Sequence, residues 1–280
     1  MFVIIMATCI ASVVVLLLVT FTFIGLSVAS DVVNGHVSID CGRNFIQLFP
    51  DALVSDDFQF THNWFQMHQK AWSAFVSPAV VDMMNKGPVR VLEIGCYEGL
   101  ASVSMLINMV SRNPLSEYVC IDPFVASTDA KQKEWHGDPT MRQWMNNIQL
   151  TGFAKQAVLV RAESRCAFPY LDSINLNEYH FIYVDGSHMR LDVAHDAEMA
   201  FDMLTEGGVM VFDDYGWDLY PVGPNHPKQA IDAFLHRHHG CIKVLEIGYQ
   251  VYVKKTCTIM HAYKKWRQED PTVTACIPIR

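Results

Sequence analysis

The stretch Val91-Leu92-Glu93-Ile94-Gly95-Cys96-Tyr97-Glu98-Gly99-Leu100 constrains the fold of this chain more than any other. Val89 to Ile94 reads as a short strand of the kind buried on both faces of a parallel sheet, with an acid near its end. Gly95 and Gly99 then allow a sharp turn, and a close approach to a ligand, where a β-carbon would collide. From Leu100 the pattern becomes helical. A dinucleotide fingerprint needs G-x-G-x-x-G and seats pyrophosphate on the helix N-terminus. Here the loop is G-x-x-x-G with Glu93 just ahead of it, an acid badly placed for phosphate and suited to a cationic ligand.

A second apolar run, Tyr118 to Ile121, ends in Asp122, about twenty residues past the glycine loop, where nucleotide-type folds hold ribose hydroxyls. Asp122 fits an NAD site and an S-adenosylmethionine site equally well. Glu93 and the missing third glycine favour the second ligand, which carries a sulfonium and an amino group and no phosphate.

The N-terminal run Phe2 to Val28 is almost unbroken apolar sequence without a charged side chain, longer than the roughly 20 residues a bilayer core requires. It is expected to be a single-pass membrane anchor, the alternative being a signal segment cleaved near Ser27-Val28-Ala29 and a secreted product. Its orientation is undetermined, because Arg43 is the only nearby cation. The remaining roughly 250 residues suffice for one large α/β domain. A net charge of −8 argues against a nucleic-acid partner. Of the eight cysteines, Cys96 and Cys120 fall in the nucleotide-binding core and are expected to be small apolar fillers. Cys241 and Cys257 flank two strand-like runs, Ile242 to Ile247 and Gln250 to Lys255, and are positioned to pair across a hairpin.

Residues 1–29 are thus anchor or signal, 30–62 linker, 63–255 the domain and 256–280 a tail. From Asn63 to Asn85, Trp64, Met67, Ala71, Phe75 and Val76 recur at helical spacing, with Pro78 breaking or restarting the helix. Further strands are expected at Ala157 to Val160, Tyr179 to Val184 and Val209 to Phe212. Helices are expected at Leu100 to Val110, Met141 to Leu150, His188 to Leu204 and Lys228 to His239. Strands alternating with helices give a doubly wound, mostly parallel sheet, and the closing hairpin adds one antiparallel strand.

Asp185 ends the fourth strand and Asp213-Asp214 the fifth. Ligands of open α/β sheets bind at these carboxyl ends. Neighbouring strands lie about 4.8 Å apart, and two unit charges at 4 Å repel by about 4 kcal/mol at an effective dielectric of 20. A shared proton, a basic side chain or a divalent cation must offset that; oxygen ligands favour Mg²⁺. His188, just past the Gly186-Ser187 turn, reaches the same crevice and suits proton abstraction from a hydroxyl.

Glu93-Ile94-Gly95-x-x-x-Gly99, Tyr183-Val184-Asp185-Gly186-Ser187-His188 and Phe212-Asp213-Asp214 together resemble the class I S-adenosylmethionine-dependent methyltransferases. The likeness is to the methyltransferase-24 branch, which includes macrolide sugar O-methyltransferases and is related to catechol O-methyltransferase. The resemblance runs from about Trp64 to Lys255 and implies a Rossmann-like, seven-stranded sheet. It implies Glu93, Gly95 and Gly99 at the methionine and sulfonium end of the cofactor, Asp122 on the ribose and Ser164 near the adenine. It also implies Asp185, Asp213 and Asp214 as metal ligands, with His188 as general base and Asp185 beside it in catalysis. The catechol enzymes have a lysine at the base position, and a serine where Ala101 stands here, with Ser102 the neighbouring hydroxyl. The expectation is a membrane-anchored O-methyltransferase, assisted by Mg²⁺ or another divalent cation, acting on a hydroxyl of a small molecule or sugar. The rivals are a non-catalytic anchored binding module and an NAD-dependent oxidoreductase.

Overall fold

A computed structural model describes residues 57–125, 137–217 and 226–257, together with the backbone of two short strands, β1 (His36–Ile39) and β2 (Asn44–Gln47). The apolar run of residues 2–28, expected to be an anchor, lies outside the described residues. Among the described residues no helix is long and apolar enough to cross a membrane. The chain divides into two compact units, Met1–Val37 and Ser38–Arg280, with β1 straddling the boundary.

Besides β2, the second unit contains seven strands: β3 (Arg90–Ile94), β4 (Glu117–Ile121), β5 (Ala157–Arg161), β6 (Tyr179–Val184), β7 (Leu204–Phe212), β8 (Ile242–Ile247) and β9 (Val251–Lys255). Their spatial order is β5-β4-β3-β6-β7-β9-β8. The first five run parallel. β9 is antiparallel to both β7 and β8, the one reversed strand the closing hairpin demands. β2, inside the segment read as linker, pairs antiparallel with β5. The chain steps outward from β3 in one direction through β4 and β5, then returns to build β6 and β7 on the other side. Such a reversal opens a crevice at the carboxyl ends of the strands.

Side chains alternate across this sheet and bury two separate cores, as period-2 geometry requires. Val91, Tyr118, Cys120, Leu159, Phe181, Tyr183, Val209 and Val211 face one layer. Leu92, Ile94, Val119, Ile121, Ile182, Val184, Met210 and Phe212 face the other. The first layer holds α1 (Ser77–Met84), α2 (Leu100–Met105) and α3 (Asp138–Leu150); the second holds α4 (Ser164–Ser173), α5 (Arg190–Met203) and α6 (Pro227–His238). The sheet is doubly wound, and each fully buried aliphatic or aromatic side chain contributes about 1.5–3 kcal/mol.

Three local departures from the sequence reading have physical causes. The segment leading into α1 is a composite of a 3-10 turn (Phe65–His68), an α turn (Gln69–Ala71) and a π turn (Trp72–Val76). These changes of winding rotate the inward stripe by one residue. Phe65, His68, Trp72, Val76 and Val80 are buried, while Trp64 and Met67 of the expected stripe are 48% and 68% exposed. Pro78 restarts regular helix near the start of α1. Further on, α5 stops at Met203, and β7 begins at once and runs through Gly207-Gly208 with a register shift against β6. The buried Lys255 ammonium supports that early stop by donating to the carbonyls of Phe201 and Leu204, both at 2.7 Å. Finally, Cys96 and Cys120 are joined by a disulfide and are not mere apolar fillers. Strand order explains it: β3 pairs with β4 in the register Glu93 to Cys120, which brings Cys96, just past the end of β3, to a Cα separation of 6.2 Å, within the range a disulfide spans. The Cys241–Cys257 pair also forms, across the closing hairpin.

Candidate active site

The rim of the sheet is held in register beyond the strands themselves. The Gly95 N–H donates to Ile121 O (2.9 Å), the Asp185 N–H to Ile94 O (2.8 Å) and the Asp213 N–H to Val184 O (2.9 Å). Four strand ends, those of β4, β3, β6 and β7, are therefore fixed side by side. Gly95 has φ +82°, and a β-carbon there would sit 2.0 Å from the Asp185 carbonyl oxygen. Its glycine is demanded first by the neighbouring strand end. Gly99 has φ +86° and lies against Trp144, whose Cδ1 would be 2.7 Å from an added β-carbon. Between them Tyr97 also adopts a left-handed conformation, φ +47°, a strain that persists only where the surroundings over-determine it.

Asp122 supplies much of that determination. Its Oδ2 accepts from the N–H groups of Cys96 (2.9 Å) and Tyr97 (3.1 Å), and its Oδ1 from that of Phe124 (2.7 Å). The acid read as the ribose holder thus stands at the end of β4 with both oxygens engaged by backbone donors. Strand alternation turns Glu93, 1% exposed, toward α2. There its carboxyl accepts from Ser102 and Tyr118, and Trp144 Nε1 donates to Ser102 Oγ at 3.0 Å. Burial pushes the Glu93 carboxyl up to about 8, opposed by the hydrogen bonds from Ser102 and Tyr118. Glu93 therefore underpins the loop from below, and the hydroxyl of Ser102 is committed to it. Ser164 opens α4 directly after β5.

At the other half of the rim stand Asp185, Asp213 and Asp214. Burial raises the Asp185 carboxyl well above the usual range, and the charges of Asp213, Asp214 and Glu93 raise it further. Burial and then Asp214 push Asp213 up to about 7, eased by hydrogen bonds from Tyr183, the Asp214 N–H and Gln250. The Asp213 side chain keeps 11% exposure, so it borders the crevice. His188 Nε2 lies 2.9 Å from Asp214 Oδ2, and its ring stacks on Trp217 at 4.3 Å and 18°. Asp214 also accepts from Tyr249 OH at 3.3 Å and holds a left-handed φ of +59°. The structure thus pairs Asp214 directly with His188, and sets Asp185 and Asp213 close enough to Asp214 to feel its charge. Among the described residues no group of three or more His, Cys, Asp and Glu side chains is arranged to hold a metal ion. Asp213 is turned to Tyr183 and Asp214 to His188.

Several residues of this site escape a sequence reading. His68, on the inward stripe before α1, approaches Asp213 at 4.0 Å, and burial lowers its pKa. A relay runs from Trp72 Nε1 to Gln250 Oε1 (2.9 Å), from Gln250 Nε2 to Tyr183 OH (3.3 Å), and from Tyr183 to Asp213. A histidine in phase with a buried aromatic stripe was the available signal for His68. The Gln250 link joins residues 178 apart in the chain and has none.

Residues 92–215 match the family described as a methyltransferase domain. The matched stretch runs from β3 to just past the end of β7 and so contains the five parallel strands and both halves of the rim. The uncharacterized protein R132 of Acanthamoeba polyphaga mimivirus is 25% identical over 136 residues, which cover 49% of this chain and 56% of that one. The chain thus spans little more than half the length of that relative. Similar solved structures include the calicheamicin methyltransferase CalS11, 16% identical over 69% of this chain and 80% of that one, with a TM-score of 0.49. Another is the O-methyltransferase TomG from Streptomyces achromogenes in complex with SAM, 16% identical over 65% and 79%, with a TM-score of 0.48.

Proposed function

We propose that this protein is an S-adenosylmethionine-dependent O-methyltransferase acting on a hydroxyl of a small molecule or sugar. One observation carries the reading: a histidine oriented by an aspartate, His188–Asp214, stands on the same rim as the 95–99 loop, whose first glycine touches the backbone of Asp185. With its Nε2–H donated to Asp214, the imidazole has its basic nitrogen at Nδ1, the atom that takes the acceptor's proton. Asp214 fixes that tautomer and stabilises the imidazolium, and Trp217 holds the ring plane. Bound S-adenosylmethionine supplies an electrophilic methyl on its sulfonium. The 95–99 loop and Glu93 orient that end, Asp122 and Ser164 border the ribose and adenine, and alignment supplies most of the rate.

Metal assistance is a finer part of this proposal. Asp185, Asp213 and Asp214 offer the hard oxygen donors that a divalent cation such as Mg²⁺ takes, but Asp213 is turned to Tyr183 and Asp214 to His188, so a cation would have to draw them together. A cation there would lower the pKa of the acceptor hydroxyl. The apolar run of residues 2–28 supports a membrane anchor. All five cysteines among the described residues are disulfide-bonded, which supports a domain facing an oxidising compartment. Calorimetric titration with S-adenosylmethionine and with NAD tests the core of the reading. Binding of the first alone is expected; binding of NAD alone, or of neither, would overturn it.

A further inference from the structure

The sulfur bridge between Cys96 and Cys120 lies inside the loop that the proposed function assigns to the methyl donor. Cys96 follows Gly95, and Cys120 precedes Asp122 by two residues on β4. The two loop residues Cys96 and Tyr97 are thus tied to one strand end in two ways: covalently through sulfur, and through their N–H groups to Asp122. Three left-handed residues, Gly95, Tyr97 and Gly99, follow one another within five positions, and Tyr97 has a β-carbon to strain. Both bridge residues are buried, Cys96 at 4% and Cys120 at 0% exposure. The Cys241–Cys257 bridge, by contrast, joins the two ends of the closing hairpin and touches no residue of the loop.

We propose that the Cys96–Cys120 disulfide is a positioning element for the methyl donor: it holds the 95–99 loop in its binding conformation, so that donor affinity depends on the redox state of this pair. The inference rests on the proposed donor site and adds its regulation. In formation, the two thiols give two electrons and two protons to a disulfide donor, which leaves as a dithiol. A dithiol reductant reverses the exchange, opening the Cys96–Cys120 bond to two thiols and closing its own. Once opened, the loop must be ordered by the ligand itself, and freezing the backbone of one further residue corresponds to about tenfold in affinity.

The test uses the full-length protein purified without reductant. A non-reduced peptide map is expected to show Cys96 linked to Cys120. The C96A/C120A double variant is expected to bind S-adenosylmethionine about tenfold more weakly than wild type. C241A/C257A is expected to bind like wild type. Free thiols at Cys96 and Cys120, or equal affinity of C96A/C120A and wild type, would overturn the inference. Wild type that binds no S-adenosylmethionine at all gives a different pattern; it overturns the donor site and this inference with it. If C96A/C120A does not fold, dithiol reduction of wild type decides the matter. Bound S-adenosylmethionine should slow opening of the 96–120 bridge and leave the 241–257 bridge unaffected, and equal protection of both, or of neither, contradicts the proposal.

Discussion

The two halves of the rim are built on opposite principles. On the β3–β4 side the loop is held by many partners: Asp122 takes three backbone N–H groups, Glu93 beneath it is held by Ser102 and Tyr118, and a disulfide closes the frame. On the β6–β7 side three carboxyls share a crevice, and Asp185 and Asp213 are both driven toward protonation by burial and by their neighbours. The first half is satisfied and stiff, as suits a surface that positions a ligand. The second holds buried carboxyls with raised proton affinity, as suits a site that moves a proton. Binding and chemistry should therefore separate under mutation.

The sharpest way to break this contrast is His188→Ala. Loss of a positioned base should lower kcat by about 10²- to 10⁴-fold, with donor affinity unchanged by calorimetry; equal losses in both would merge the halves. Next comes Gly95→Ala, which sets a β-carbon against the Asp185 carbonyl at a positive φ. Overpacking and backbone strain together should destabilise the fold by about 3 kcal/mol or more, read from the denaturant midpoint. A third change sharpens the stiff half. Glu93 has a folded-state pKa of about 8 against 4.5 unfolded, so between those values the folded protein keeps a proton the unfolded chain has released. Stability should then fall as pH rises from about 4.5 to about 8, by on the order of a few kcal/mol. Glu93→Gln should flatten that part of the profile in denaturant titrations across the window. The smallest effect is expected from Trp217→Ala. Removing the ring stacked on His188 forfeits about 0.5–1.5 kcal/mol of orientation, a few-fold loss in kcat with donor affinity untouched.

Much of this was readable from residue order, for reasons that differ between elements. β6 runs from Tyr179 to Val184, as its apolar run between breakers indicates. The acids at strand ends were legible because parallel strands bury everything else. The inward stripe before α1 was not, because Trp64 and Met67 are as apolar as Phe65 and Trp72, and only the turn geometry selects between them. The Cys96–Cys120 bridge depends on β3 lying beside β4, a fact of strand order that no local pattern carries. His68, Tyr183 and Gln250 reach Asp213 only through tertiary packing. Glu93 stands out by its position ahead of the glycines, but only strand alternation reveals that its carboxyl lies beneath the loop, toward Ser102 and Tyr118.

The central claim is that a methyl-donor loop and the His188–Asp214 pair act on one acceptor oxygen. Its most direct test is transfer of an isotope-labelled methyl from S-adenosylmethionine into a mixture of hydroxyl-bearing metabolites, run with wild type and with His188→Ala. The account predicts labelled product from wild type and almost none from the variant, although both bind the donor. Equal labelling by the two proteins, or donor binding with no labelled hydroxyl product from either, would contradict it.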